Sequence, residues 1–369
     1  MHSNNKLVIA AAGSGKTTFL VQESLGRSSS KILLVTYTIK NKEEIENKFI
    51  KEVGYIPKHI IIKTWYSFLL TELIRPYQTC LTIETRINGI FFPTKPSSRY
   101  IKKTNIKGYF FNSKFEVNKD RLAELADLIA SKTGYKNIFR LQEIYDYMYI
   151  DEVQDMSGYD LEIFKKLFDS PMAMLFVGDI RQGTYTTSNT QKNSQYKGIN
   201  IIRFFEGFEQ MGKCIIDRDL NISYRCIQQI CDFADNLFPS LERTKSRNEK
   251  QTTHNGVFII HPDDFEAYVD QYSPQCLRYD ARTKIDNAIN FGESKGLTFD
   301  RVLIKPTQKM EKYLKTGILE LEGTSLAKFY VAVTRAKYSV GIISNMQTCM
   351  IEGVEFYQPN KHFKAECIL

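Results

Sequence analysis

The apolar run Leu7-Val8-Ile9 leads straight into Ala10-Ala11-Ala12-Gly13-Ser14-Gly15-Lys16-Thr17, and this junction narrows the fold more than any other stretch. A strand, a glycine-rich turn and a helix start aim backbone N–H groups and the positive end of the helix at one point, which makes a cradle for phosphate. Gly13 and Gly15 let the backbone approach the anion. Lys16 reaches the terminal phosphate oxygens, and the Thr17 hydroxyl suits Mg²⁺. Ser14 and Thr18 complete the candidate phosphate contacts. The generic pattern opens with glycine, where this chain has Ala10. The bland alternative is a glycine-rich turn that holds no phosphate.

A chain of 369 residues suits two domains, and 43% apolar content supports a sizeable core. No apolar run reaches membrane-spanning length, and the start of the chain lacks a signal-peptide pattern; a cytoplasmic, membrane-free protein is the expectation. The seven cysteines form no CxxC pair, which favours reduced thiols over zinc or a disulfide frame. A formal net charge of +8 is compatible with a polyanionic partner without requiring one.

Short β-branched runs alternate with helical patterns. Residues 7–10, 32–36, 60–63, 147–150 and 173–177 read as buried strands, and residues 41–53 and 159–168 carry apolar positions at helical spacing. That alternation predicts an α/β fold with a parallel sheet covered on both faces. Between about 76 and 143 the rhythm breaks, which reads as a small inserted subdomain. A second α/β series starts near Lys213, with strands at 257–260, 276–279, 301–304 and 339–343. The expected domains are 1–212 and 213–369, and the polar stretch 242–255 reads as an exposed loop.

Tyr147-Met148-Tyr149-Ile150 runs into Asp151-Glu152-Val153-Gln154-Asp155. Paired carboxylates at a strand end suit Mg²⁺-dependent phosphoryl chemistry, with Asp151 toward the metal and Glu152 toward the attacking water. Taken alone, such a pair is more often a solvated loop.

With the P-loop, this carboxylate box resembles the UvrD/Rep branch of superfamily 1 helicases, whose motifs recur here in order over nearly the whole chain. Thr36-Tyr37-Thr38 and Lys63-Thr64-Trp65-Tyr66-Ser67-Phe68 are similar to the family's strand-contacting segments, which implies roles for Tyr37, Thr64 and Trp65. Val177-Gly178-Asp179-Ile180-Arg181-Gln182-Gly183-Thr184-Tyr185 resembles the segment coupling ATP to DNA, with Gln182 at the γ-phosphate and Tyr185 among bases. Asn221-Ile222-Ser223-Tyr224-Arg225 resembles the motif whose Tyr stacks on adenine and whose Arg meets the γ-phosphate. Residues 294–300 and 330–336 match the last two motifs, Arg335 being the second such arginine. The resemblance implies two tandem RecA-like parallel-sheet P-loop NTPase domains with ATP between them. Catalytic roles fall to Glu152, Gln182, Arg225 and Arg335, and a planar guanidinium meets spread phosphoryl charge well.

Several positions depart from the family. No Gln stands among the nine residues before Ala10, and Thr298 replaces the Glu that contacts ribose. Both changes remove nucleoside readout, so other NTPs such as GTP or CTP are expected within about tenfold of ATP, a gap of about 1.4 kcal/mol. Thr186-Thr187-Ser188-Asn189 replaces a Trp-Arg-Gly base-stacking platform, and Gly292 replaces a His. The large subdomain usual before the penultimate motif is nearly absent between strands expected at 278–282 and 286–290.

Residues 99–119 interleave lysines with Tyr100, Tyr109, Phe110, Phe111 and Phe115. Lys102, Lys103 and Lys107 are candidate phosphate contacts beside stacking faces; the equally weighted alternative is a small module with buried aromatics. Taken together, these features imply an ATP-dependent, single-stranded-DNA-stimulated translocase or helicase of 3′→5′ polarity, working on single strands or single/double-strand junctions. An RNA track satisfies the same residues. The alternative from another class is a nucleotide-switched regulatory subunit controlling a partner such as a nuclease, as compact relatives do in bacterial anti-phage defence.

Overall fold

The computed structural model describes residues 5–81, 83, 85–93, 101–188 and 190–359. Arg99, Tyr100 and Asn189, singled out above, lie outside them. The chain forms two compact units. The first comprises 1–9, 16–180 and 186–217; the second takes the remainder from Arg218 together with the short segments Ala10–Gly15 and Arg181–Tyr185.

The first unit is built on a six-stranded sheet ordered Ile60–Thr64, Ile32–Thr36, Tyr147–Ile150, Ala173–Gly178, Lys6–Ala10, Ile215–Leu220. The pairings among its first five strands are parallel. Ile32–Thr36 and Ala173–Gly178 are buried at every position, which is why they read as unbroken apolar runs instead of alternating ones. Helix Ile39–Val53 starts where the Thr38 hydroxyl accepts the Asn41 N–H and stops where Gly54 turns left-handed at φ 85°. Both are sequence-encoded end signals.

Trp65 departs from its expected role. The indole is fully buried, edge-on to Phe164 with ring centres 5.5 Å apart, and its N–H donates to Asp160 Oδ1 at 2.7 Å. A side chain wedged into the core offers no face to a base, so Trp65 is a packing residue here.

Part of the expected insertion also belongs to this core. Helix Leu122–Lys132 buries Leu122, Leu125, Ala126, Ile129 and Ala130 against the helical turns Leu69–Ile74 and helix Tyr159–Phe168. What stands apart is small: strands Gly89–Phe91 and Glu116–Asn118, paired in parallel, and helix Ile106–Phe110. Phe110 and Phe111 are buried, as the small-module alternative requires.

The second unit carries another six-stranded sheet, ordered Ile289–Asn290, Gln275–Arg278, Phe299–Lys305, Ala336–Ile343, Gly256–Ile260, Val354–Phe356, with every pairing parallel. The strand expected at 278–282 lies earlier, at Gln275–Arg278, that expected at 286–290 shortens to Ile289–Asn290, and Leu277 pairs directly with Ile289. Residues 242–255 are not simply an exposed loop. Lys245–Ser246 pairs with Ile222–Ser223, and Thr244 and His254 are buried. The polarity of this stretch hid the fact that its hydroxyls and imidazole have partners.

His254 lies flat between Phe258 and Tyr272, with ring centres 4.0 Å away on each side, and its Nε2 lies 3.0 Å from the Tyr268 hydroxyl. Burial, helped by Arg301, pushes its pKa down to about 4. The neutral ring is therefore the native form. A depressed folded pKa makes this contribution complete above the unfolded value of about 6.5 and lost as pH falls through that of the fold.

Two outcomes follow from these cores. Trp65→Ala should cost about 3–5 kcal/mol in chemical denaturation, far more than a surface stacking residue would. Between pH 6.5 and 4, the parent should lose more melting temperature than His254→Phe, which carries no proton-binding ring at that position.

Candidate nucleotide site and nucleic-acid surface

In the first unit, strand Lys6–Ala10 and helix Lys16–Leu25 flank the glycine turn. Lys16 and Thr17 therefore sit in the helix's first turn, where backbone N–H groups lack intrahelical partners. Thr18 follows, half-buried. The Thr17 hydroxyl donates to Glu44 Oε1 at 3.3 Å. One strand separates Lys6–Ala10 from Tyr147–Ile150, whose end presents Asp151. The Asp151 N–H is fixed to the Val35 carbonyl at 2.8 Å, and its Oδ2 accepts from Thr36 Oγ1 at 3.3 Å.

The other oxygen, Asp151 Oδ1, is buried and has no hydrogen-bond partner among the described residues. Burial raises the Asp151 pKa, Glu152 adds to the rise, and the positive charge of Lys16 partly opposes it. A buried carboxylate oxygen without a donor suits a divalent cation, and the donor set of Asp151 with the Thr17 hydroxyl is all oxygen, as Mg²⁺ prefers. Among the described residues no cluster of three or more His, Cys, Asp or Glu side chains could hold a metal. Mg²⁺ characteristically takes only one or two carboxylates and completes its shell with phosphates and water.

Glu152 adopts the left-handed region, φ 55° and ψ 41°, a conformation that costs a non-glycine residue of order 1–3 kcal/mol and gathers at functional sites. Gln154 donates to its carboxylate. Gly178 permits this arrangement, since a Cβ there would lie 2.2 Å from Gln154 Oε1.

The second unit gathers the remaining candidates. Gly13 has φ +74°, and a Cβ on it would come within 2.5 Å of the Arg225 Cβ. Its carbonyl accepts the Tyr224 N–H at 3.0 Å. Ser14 Oγ is buried with no partner among the described residues, again a group suited to a phosphate oxygen, and Gly15 is exposed with φ +81°. Arg225 Nη1 donates to the Thr334 carbonyl at 3.1 Å, and Arg335 Nη2 donates to Gln182 Oε1 at 3.4 Å. Arg335 is fully buried, with its Nε donating to the Val331 carbonyl. The Tyr224 ring is 66% exposed, as a base-stacking face must be.

Of the strand-contact candidates, Tyr185 is 41% exposed, and its hydroxyl would be 3.3 Å from a Cβ on Gly292. A side chain at 292 would therefore touch the tip of the Tyr185 ring, which is exposed enough to give way by a few tenths of an ångström. Tyr37 is half-buried, its hydroxyl 3.5 Å from that of Tyr66. Thr64 caps a short helix by accepting the Ser67 N–H at 3.3 Å. Thr187, from the segment replacing the stacking platform, is buried and donates to Asp160, and its carbonyl accepts from Tyr66.

Lys102 and Lys107 are exposed, with Lys107 over the Phe115 ring at 5.0 Å. Lys103 is tied to Glu124 and bonded to the Tyr159 hydroxyl at 3.3 Å. Three contributors escaped the sequence reading: Thr36 beside Asp151, Gly178 beneath Gln154, and Tyr159 against Lys103. Thr36 and Gly178 carried a signal, since each stands in a motif already marked; Tyr159 carried none.

A P-loop one strand removed from a buried carboxylate on a parallel sheet defines a P-loop nucleotide-binding protein. Residues 1–188 match the family model described as AAA domain, half of the chain, and the chain belongs to that family. Its ordered motifs resemble those of the UvrD/Rep branch of superfamily 1. Gabija protein GajB of Bacillus cereus (strain VD045) is 29% identical over 268 residues, 67% of this chain and 49% of that protein, so the chain spans about half the length of this relative. Arterivirus nonstructural protein 10 (helicase) superposes with a TM-score of 0.48 at 14% identity, covering 93% of this chain and 60% of that one. Its complex with DNA gives 0.49 at 15%, covering 93% and 61%. At these scores the fold rests on strand order and the P-loop. No helix among the described residues is long and apolar enough to cross a membrane.

Gly13→Ala should weaken binding of ADP, measured by calorimetry, and lower the melting temperature. The positive φ alone costs about 1–2 kcal/mol for an L-residue, before the clash with Arg225. Parent-like values for both would show that the close approach is dispensable.

Proposed function

We propose that the chain hydrolyses ATP with Mg²⁺ and uses the cycle to move along single-stranded DNA, with the 3′→5′ polarity implied by its resemblance. One observation carries the reading. The glycine turn packs so tightly on Arg225 that no side chain fits between them, while Gln182 meets Arg335 in the same unit. Backbone donors for phosphate and guanidinium groups for a developing charge thereby share one neighbourhood.

The chemistry assigned to the residues is an in-line displacement. The Glu152 carboxylate orients a water and accepts its proton as the water oxygen bonds to the γ-phosphorus. The bond to the β–γ bridging oxygen breaks, and the electron pair stays with ADP. Lys16 and the turn's N–H groups hold the β- and γ-oxygens. Arg225 and Arg335 spread positive charge over the equatorial oxygens, where such a residue is typically worth about 10³–10⁵ in rate. Gln182, bonded to Arg335, reports whether the γ-phosphate is present. Thr17 and Asp151 would hold Mg²⁺, which would supply neutralisation of phosphate charge. Thr298, in the place of the family's ribose-contacting Glu, supports acceptance of other NTPs.

Tyr37, Thr64, Tyr185 and the lysines 102, 103 and 107 are the proposed contacts to a single strand or a junction, and the cytoplasm the proposed compartment. A second reading, a nucleotide-gated subunit controlling a partner nuclease in anti-phage defence, is supported by the 29% identity to Gabija protein GajB.

One titration separates the two. Turnover of ATP, GTP and CTP should rise many-fold with a single-stranded DNA oligonucleotide, the three nucleotides falling within about tenfold of one another. Lys16→Ala and Glu152→Gln should abolish that turnover. Hydrolysis indifferent to DNA and RNA alike would sink the motor and favour the switch.

A further inference from the structure

Arg181 is neither a phosphate nor a strand candidate, yet it is one of the most deeply buried charges in the second unit, 3% exposed. Its Nη1 donates to Asp235 Oδ1 at 2.7 Å and to Thr244 Oγ1 at 3.0 Å. Thr244 donates back to the same carboxylate, through its hydroxyl at 3.0 Å and its N–H at 2.5 Å. The guanidinium also lies over the Tyr330 ring, 5.6 Å from its centre.

These partners sit on elements that end at the γ-phosphate candidates. Gln182 is the next residue in the chain. Asp235 closes helix Gln228–Asp235, which begins just after Arg225. Tyr330 belongs to helix Gly323–Val333, which ends just before Arg335. One side chain therefore ties together three backbone segments, each carrying one member of the Gln182, Arg225 and Arg335 group.

We propose that Arg181 is a positioning residue which, through its buried pair with Asp235, sets the relative placement of Gln182, Arg225 and Arg335. The inference rests on the hydrolysis reading of that group and deepens it. A buried ion pair is a poor source of stability, because removing both charges from water costs about as much as their attraction returns. Its distinctive capacity is geometric. A planar guanidinium binding a carboxylate, a hydroxyl and a ring face in fixed directions specifies one arrangement, whereas an apolar contact tolerates several.

The test uses the full chain with Arg181→Met combined with Asp235→Leu, which removes the pair without stranding a buried charge. Melting temperature, affinity for ADP and for ADP with aluminium fluoride, and kcat and KM for ATP with a single-stranded oligonucleotide are compared with the parent. A positioning role predicts an unchanged or higher melting temperature, and ADP affinity and KM within about twofold. It also predicts that kcat falls, along with the preference for the fluoride complex over ADP, each by about tenfold or more. A double variant with parental kcat and parental preference overturns the proposal. Should that variant not fold, Asp235→Asn reads the same split between kcat and KM, and parental kcat in it is equally fatal. A parent lacking both turnover and preference for the fluoride complex removes the hydrolysis reading, and this role with it. A normal parent beside a normal variant removes the positioning role alone.

Discussion

The approach of the Gly13 backbone to Ser223–Arg225 is the contact on which the rest of the nucleotide site depends. The Gly13 carbonyl accepts the Tyr224 amide, and the space a Cβ would need is filled by Arg225. A phosphate-binding turn built on backbone N–H groups works only where nothing shields them. Here the same absence of a side chain lets an arginine stand beside the turn. Glycine serves two purposes at this point, conformation and clearance.

Each unit also buries groups that proteins normally keep wet. Asp151 is held by Thr36 and the Val35 carbonyl with one oxygen left over; Asp160 accepts from Trp65, Ser157 and Thr187; Arg335 is closed in by the Val331 and Leu297 carbonyls. Burial raises the pKa of both aspartates, Asp160 to about 6. Polar groups fixed in a dry setting need not reorganise when charge develops beside them, which is the usual source of electrostatic preorganisation. The two aspartates differ in purpose. Asp160 has its donors and ties the segments of Trp65 and Thr187 to the core, whereas Asp151 keeps an oxygen in reserve.

The sheets were legible because strands buried on both faces must be apolar throughout, so Ile32–Thr36 and Ala173–Gly178 could scarcely be read otherwise. The phosphate turn and the carboxylate box were legible for a different reason: both are local, with the chemistry and the backbone geometry written into neighbouring residues. What failed was long-range. Trp65 stands in a motif that suggests nucleic acid, but only the fold brings Asp160 and Phe164 around it. Residues 242–255 look solvated because they are polar, and nothing near them in sequence announces that Arg181 and Tyr268 supply partners. The helix Leu122–Lys132 reads as part of an insertion because the rhythm breaks before it, not within it.

The pairing of Gly292 with Tyr185 has a consequence for anyone swapping segments between relatives. The two positions lie far apart in the chain yet compete for one volume. A chimera that imports a histidine at 292 puts a Cβ 3.3 Å from the tyrosine hydroxyl, so that exposed ring has to shift by a few tenths of an ångström. An exchange at 292 is therefore to be designed together with residue 185, despite the hundred-odd residues between them.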